Sequence, residues 1–169
     1  MAIQHILVVD DEPLIRKFLV ETLQRMGFTV QDAADGARAL HLMKAETFDL
    51  VFADIKMPKI SGMDLLRKAR DESPETIMVM MTAYATVENA VEAMKIGAFD
   101  YIIKPFSPDQ IEMVTRRAAV ILLGLLPLLF PAAGAAVLVT RTRRLPTGGC
   151  RPNRRRAGAV GRWSGMLPT

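Results

Sequence analysis

Residues 5–13 read HILVVDDEP, and the architecture of the chain can be read from them. Ile6, Leu7, Val8 and Val9 make an unbroken aliphatic run. A strand with one wet face alternates apolar and polar residues, so an unbroken run marks a strand covered on both faces. The run ends in three consecutive carboxylates, Asp10, Asp11 and Glu12, and Pro13 follows where the first turn of a helix tolerates a missing N–H. A buried strand thus delivers like charges to one point and turns into a helix.

The same unit recurs along the chain. Leu14, Ile15, Phe18, Leu19, Leu23 and Met26 stand at helical spacing, with Gly27 as a stop. Residues 28–33 form a second, more polar strand and 36–45 a second helix. DLVFA at 49–53 is a third strand, followed by a helix over 62–70. IMVMM at 77–81 and DYII at 100–103 are the last two strands. Between them lies a helix over 86–96 that Gly97 ends, and Pro108 opens a fifth helix. Five strands alternating with five helices predict an α/β fold, a five-stranded parallel sheet doubly wound by helices, because each parallel crossover needs a helix. Right-handed crossovers leave the carboxyl ends of all strands on one edge, so a site is expected just after the strands.

That edge collects chemistry. Asp10 and Asp11 follow the first strand, Asp54 the third, Thr82 the fourth and Lys104 the fifth. Carboxylates about 4 Å apart repel by roughly 4 kcal/mol per pair at an effective dielectric near 20, so three together need a cation to stay ionised. Oxygen-only donors without a nearby His or Cys favour Mg2+ over zinc. The bland alternatives are a helix N-terminal charge pair at Asp10 and Asp11, a solvated lysine at 104 and a half-packed tyrosine at 101.

VVDDEP, FADIKMPKISGMDLL, MTAYA and GAFDYIIKPF, in this order and separation, resemble the receiver domain of two-component response regulators, the CheY-like family. The segment from Thr82 to Glu112 is most similar to receivers of NtrC-type transcriptional activators. The resemblance covers about residues 3–117, and it implies a flavodoxin-like strand order 2-1-3-4-5. It further implies that Asp54 is the phosphoacceptor, that Asp10, Asp11, Asp54 and the backbone carbonyl of Lys56 hold Mg2+, and that Lys104 pairs with a phosphoryl oxygen. Thr82 and Tyr101 would be the switch pair, Thr82 moving to the phosphate and Tyr101 turning inward, and Pro105 would follow a cis peptide. The implied partner is a sensor histidine kinase, with homodimerisation through helices 4 and 5, and the implied activity is a switch without turnover of a separate substrate. Two rival readings are a receiver that only binds a partner and an aspartyl-phosphate phosphatase; the phosphatase wants an acid two residues after the nucleophile, where Lys56 stands.

Beyond this region the composition changes. Residues 1–117 hold 14 Lys plus Arg against 18 Asp plus Glu, a net −4, whereas 118–169 hold eight Arg and no Lys or acid, a net +8. A receiver domain over 1–122 and a separate tail over 123–169 follow. The single cysteine, Cys150, excludes an intrachain disulfide framework, no secretory signal opens the chain, and no phosphate loop or readable DNA-binding domain appears. Residues 118–140 are uncharged and, at 1.5 Å per residue, span roughly 34 Å as a helix, enough for a bilayer core. Three readings of the tail stand: a membrane anchor, a soluble interaction segment that is partly disordered and Arg-rich, or the product of a shifted reading frame in a GC-rich gene. The receiver is expected in the cytoplasm, or on the cytoplasmic face of the inner membrane if 118–140 is an anchor.

Overall fold

The computed structural model describes residues 3–84 and 86–124. Strands and helices alternate without exception: β1 (His5–Val9), α1 (Pro13–Arg25), β2 (Thr29–Ala33), α2 (Gly36–Ala45), β3 (Leu50–Asp54), α3 (Gly62–Glu72), β4 (Ile77–Thr82), α4 (Val87–Ile96), β5 (Asp100–Ile103) and α5 (Pro108–Leu122). The strands form one sheet in the order β2-β1-β3-β4-β5, every neighbouring pair parallel. This is the doubly wound arrangement expected from the alternation.

Strand periodicity builds the two faces of the core. Ile6 and Val8 of β1, Leu50 and Phe52 of β3, and Val79 and Met81 of β4 pack with Leu19 and Leu23 of α1 and with Ile111, Val114 and Ala118 of α5. Their alternates, Leu7, Val9, Val51, Ala53, Met78 and Met80, pack with Ala39 and Leu42 of α2, with Leu65 and Leu66 of α3 and with Ala93 of α4. Because side chains alternate with period two, each central strand reads as a continuous apolar run. β2 lies at the sheet edge and only Ala33 in it is buried, which explains its polar sequence.

Local signals set the helix ends. Ser61, Thr86 and Ser107 each accept from the backbone N–H three residues on, and Ser107 with Gln110 forms a reciprocal capping box. Gly97 closes α4 at φ +114°, a left-handed position that a Cβ disfavours. One expectation about a helix face changes. Leu14 is 81% exposed, because the buried stripe of α1 runs through Leu19, Thr22 and Leu23 with Ile15, Phe18 and Met26 beside it. Ile121 is also exposed, and Leu122 packs instead; three helical turns are close to 11 residues, which carries the stripe from Ile111 to Leu122.

Among the described residues no helix is long and apolar enough to cross a membrane. Residues 118–122 of the uncharged stretch belong to α5, which Leu123 caps before Gly124, and residues 125–169, with the anchor, interaction-segment and frame readings made of the tail, lie outside the described residues.

The start of α3 fixes how closely the β3–α3 loop can return to β3. The Gly62 N–H donates to the Ile55 carbonyl at 3.0 Å, and a Cβ at Gly62 would stand 2.1 Å from the Asp54 carbonyl oxygen. Gly62→Ala must therefore displace backbone and is expected to destabilise the fold by about 1–3 kcal/mol, measured by urea denaturation; an unchanged midpoint would show that the loop yields freely.

Candidate functional site

Three carboxylates meet at the carboxyl edge of the sheet. Asp10 follows β1, Asp54 ends β3, and Glu12 is the residue before α1. Each offers an oxygen, and these oxygens lie within 4.8 Å of one another. Parity brings the two aspartates together. Asp10 continues the Ile6–Val8 side of β1 and Asp54 the Leu50–Phe52 side of β3, and both sides face α1 and α5. Asp10 is fully buried and Asp54 is 5% exposed.

Lys104 answers this charge from the end of β5. Its Nζ lies 2.9 Å from Asp54 Oδ2, 2.7 Å from Asp10 Oδ2 and 3.3 Å from Glu12 Oε1. It donates hydrogen bonds to Asp54 and Glu12. The approach to Asp10 is an ion pair by distance whose geometry falls short of a hydrogen bond, and Asp10 Oδ2 is left buried without a hydrogen-bond partner. Burial would lower the Lys104 ammonium, but its contacts with Asp10 and Asp54 outweigh that and hold it above the usual lysine range. Burial raises the Asp10 carboxyl above its ordinary value, against the opposing pull of Lys104 and of the Glu12 amide. The Lys104–Pro105 peptide is cis.

The formal charge of the group, three carboxylates and one ammonium, is −2. Its donors are all oxygen, and the single ammonium of Lys104 cannot balance all three carboxylates. Such a set fits a hard divalent cation, which takes carboxylate and carbonyl oxygens. Asp11, expected beside Asp10 in the metal set, is exposed and stands outside the group of three, where Glu12 takes part instead. The Lys56 peptide is at the site, its N–H donating to Asp54 Oδ1 at 3.3 Å. Arg16 braces the whole from α1: it donates to the Asp10 carbonyl at 2.7 Å and pairs with Asp32 of β2 at 3.0 Å.

Thr82 and Tyr101 occupy the other side of the sheet edge. Thr82 ends β4 and is buried, and its Oγ1 accepts from the Tyr84 N–H at 3.1 Å. Tyr101 packs with the α2–α4 core, opposite Met80 in the register. Its hydroxyl is buried without a hydrogen-bond partner of good geometry. Burial pushes the phenol up, opposed by the nearby Thr82 side chain. Thr82 and Tyr101 are therefore neighbours, as a coupled pair must be.

Residues 6–116 match the family model described as the response regulator receiver domain. The chain belongs to that family. Over 117 residues this receiver is 44% identical to the regulatory protein AtoC of Escherichia coli, a match covering 69% of the chain and 25% of AtoC. The chain thus spans about a quarter of that relative's length. Among solved structures, the receiver domain of NtrX from Brucella abortus superposes with a TM-score of 0.65 at 36% identity, covering 68% of this chain and 97% of that one. A response regulator protein from Burkholderia pseudomallei, solved with a phosphorylated aspartic acid and a calcium ion, gives 0.64 at 29% identity, covering 75% and 74%. The receiver here is thus of the kind used in two-component systems, and NtrC-type regulators are among its relatives.

Two outcomes follow from the geometry. Lys104→Met leaves three carboxylates facing one another and is expected to destabilise the receiver by about 3–5 kcal/mol without divalent cation; urea denaturation with and without MgCl2 should show part of the loss restored by the metal. Glu12→Gln and Asp11→Asn, titrated with Mg2+ by calorimetry, separate the two candidate ligands. If the group of three holds the cation, Glu12→Gln weakens binding several-fold and Asp11→Asn weakens it less.

Proposed function

We propose that this receiver accepts a phosphoryl group on Asp54 from a sensor histidine kinase, with Mg2+ at the acidic group, and changes conformation in response. The observation that carries the reading is the convergence of Asp10, Glu12 and Asp54 within 4.8 Å, with Lys104 bonded to Asp54 Oδ2. An Asp54 carboxylate oxygen attacks the phosphorus of a phosphohistidine, the P–N bond breaks with its electron pair leaving on the imidazole, and an acyl phosphate forms. Mg2+, if bound there, would supply the neutralisation of charge on the transferring phosphoryl oxygens, which is most of what such a transfer requires. Asp10 and Asp54, with Glu12 or Asp11 and the Lys56 carbonyl, would hold the cation.

Lys104 orients the nucleophile before transfer and offers its ammonium to a phosphoryl oxygen afterwards. The phosphoryl group brings close to two negative charges and three acceptor oxygens to one side of the sheet edge. Thr82 Oγ1 accepts from the Tyr84 N–H and keeps its O–H to donate to that charge, and its movement would alter the packing around the Tyr101 hydroxyl. The receiver acts as a switch and turns over no separate substrate. We place it in the cytoplasm, where a kinase would charge it. Exposed Val91 and Met94 on α4, Ile103 on β5 and Met113 on α5 support homodimerisation through helices 4 and 5.

Purified protein incubated with acetyl phosphate should become labelled only when Mg2+ is present, and Asp54→Asn should abolish the label. Undiminished labelling of that variant at another residue would sink the assignment.

A further inference from the structure

We infer that Arg16, itself held by Asp32, is a positioning residue for the cation site: it clamps the Asp10 carbonyl so that the Asp10 side chain meets Mg2+ in one fixed orientation. The inference rests on reading the acidic group as an Mg2+ site. Arg16 stands in the first turn of α1. Its Nη1 donates to the Asp10 carbonyl at 2.7 Å and its Nε donates to Asp32 Oδ2 at 3.0 Å. The Arg16 side chain is only 16% exposed, whereas that of Asp32 is 53% exposed. An ion pair with so wet a partner adds little stability of its own, so the charge-assisted bond to the Asp10 carbonyl is the contact that gives the buried guanidinium a task.

The bonds form a closed circuit around Asp10. Its N–H donates to the Ala33 carbonyl at 3.2 Å, Ala33 follows Asp32 in β2, Asp32 holds Arg16, and Arg16 returns to the Asp10 carbonyl. The ladder between β1 and β2 ends at the pair of Val9 and Ala33, so the circuit fixes the backbone just where the ladder stops doing so. The side chain is held too, with Oδ1 accepting from the Glu12 N–H at 2.9 Å. With N–H, carbonyl and Oδ1 all engaged, Oδ2 is the oxygen turned to Lys104 and into the acidic group. Asp32 can reach Arg16 because it shares strand parity with Val30, which packs on the α1 side of the sheet.

A ligand fixed in place by an outer partner need not be ordered when the metal arrives, and affinity rises accordingly. Arg16 is, however, also a cation beside a cation site. By charge alone it would weaken Mg2+ binding, because like charges repel. As a clamp it strengthens binding. The two roles have opposite signs, so removing the guanidinium tells them apart.

The test measures the Mg2+ affinity of the full chain by calorimetry, with urea denaturation in Mg2+-free buffer showing that each variant is folded. Arg16→Met should weaken binding about tenfold, the low end of what an outer partner of a metal ligand is worth. Asp32→Ala should give a smaller loss, about threefold, because Arg16 can still reach the carbonyl. Asp32→Asn removes the same charge but keeps an oxygen for Arg16 Nε, and should bind within about twofold of the parent. Arg16→Met combined with Asp32→Ala should bind no more weakly than Arg16→Met alone, since Asp32 acts through Arg16. Binding by Arg16→Met as tight as the parent's or tighter, equal losses in Asp32→Ala and Asp32→Asn, or multiplied losses in the double variant would each overturn the clamp while leaving the Mg2+ site intact. If Arg16→Met does not fold, the two Asp32 variants decide alone. A parent chain that binds no Mg2+ brings down the site and the clamp together.

Discussion

The ammonium of Lys104, held among three carboxylates at the edge of the sheet, governs this molecule. Buried charges are costly unless partnered, and here one cation faces three anions contributed by β1, β3 and the start of α1. The attraction draws the ends of β1, β3 and β5 together, and the excess of negative charge leaves the group ready for a further cation. Stability and chemistry are thereby tied to the same few atoms.

Strand parity divides the machinery into two halves. Asp10, Asp54 and Lys104 lie on the α1 and α5 side, whereas Thr82 and Tyr101 lie on the α2–α4 side. The loops that follow β3 and β4 join the two halves around the edge of the sheet. Those loops are tied to the site by single N–H bonds to Asp54 and to Thr82 and to one another by the Lys56–Tyr84 contact. Weak, few-membered connections of this kind can rearrange without disturbing the core. The regions that must not move are made differently: Gly62 packs against the Asp54 carbonyl with no room for a Cβ, and Arg16 clamps the Asp10 carbonyl from α1.

Family membership brings the fold and the site together but extends only as far as the matched residues. The family model ends at residue 116 and α5 at Leu122, close to where the charge balance inverts from acidic to Arg-only. AtoC is about four times the length of the match, so most of that relative has no counterpart in the shared segment.

Much of the fold was legible because it rests on local patterning. Buried parallel strands must be apolar on both faces, and LVV, LVFA and IMVMM are; the amphipathic helices between them and the glycines at 27 and 97 mark where each turn begins. Asp10, Asp54, Thr82 and Lys104 were legible for the same reason, as polar residues at the ends of such strands. The miscounted position, Leu14, is one residue off a helical stripe, where an apolar side chain can fall on either side. Sequence could not say which of three adjacent acids joins the group: β alternation stops at Val9, and only the path of the chain into α1 brings the carboxylate of Glu12, itself exposed, within reach of Lys104. Nor could it bring Lys56 to Tyr84, 28 positions apart, because that contact exists only once β3 and β4 lie side by side. Period and composition choose the elements and their order; which side chains meet at the edge is fixed by register and loop path, and those exist only in the folded chain.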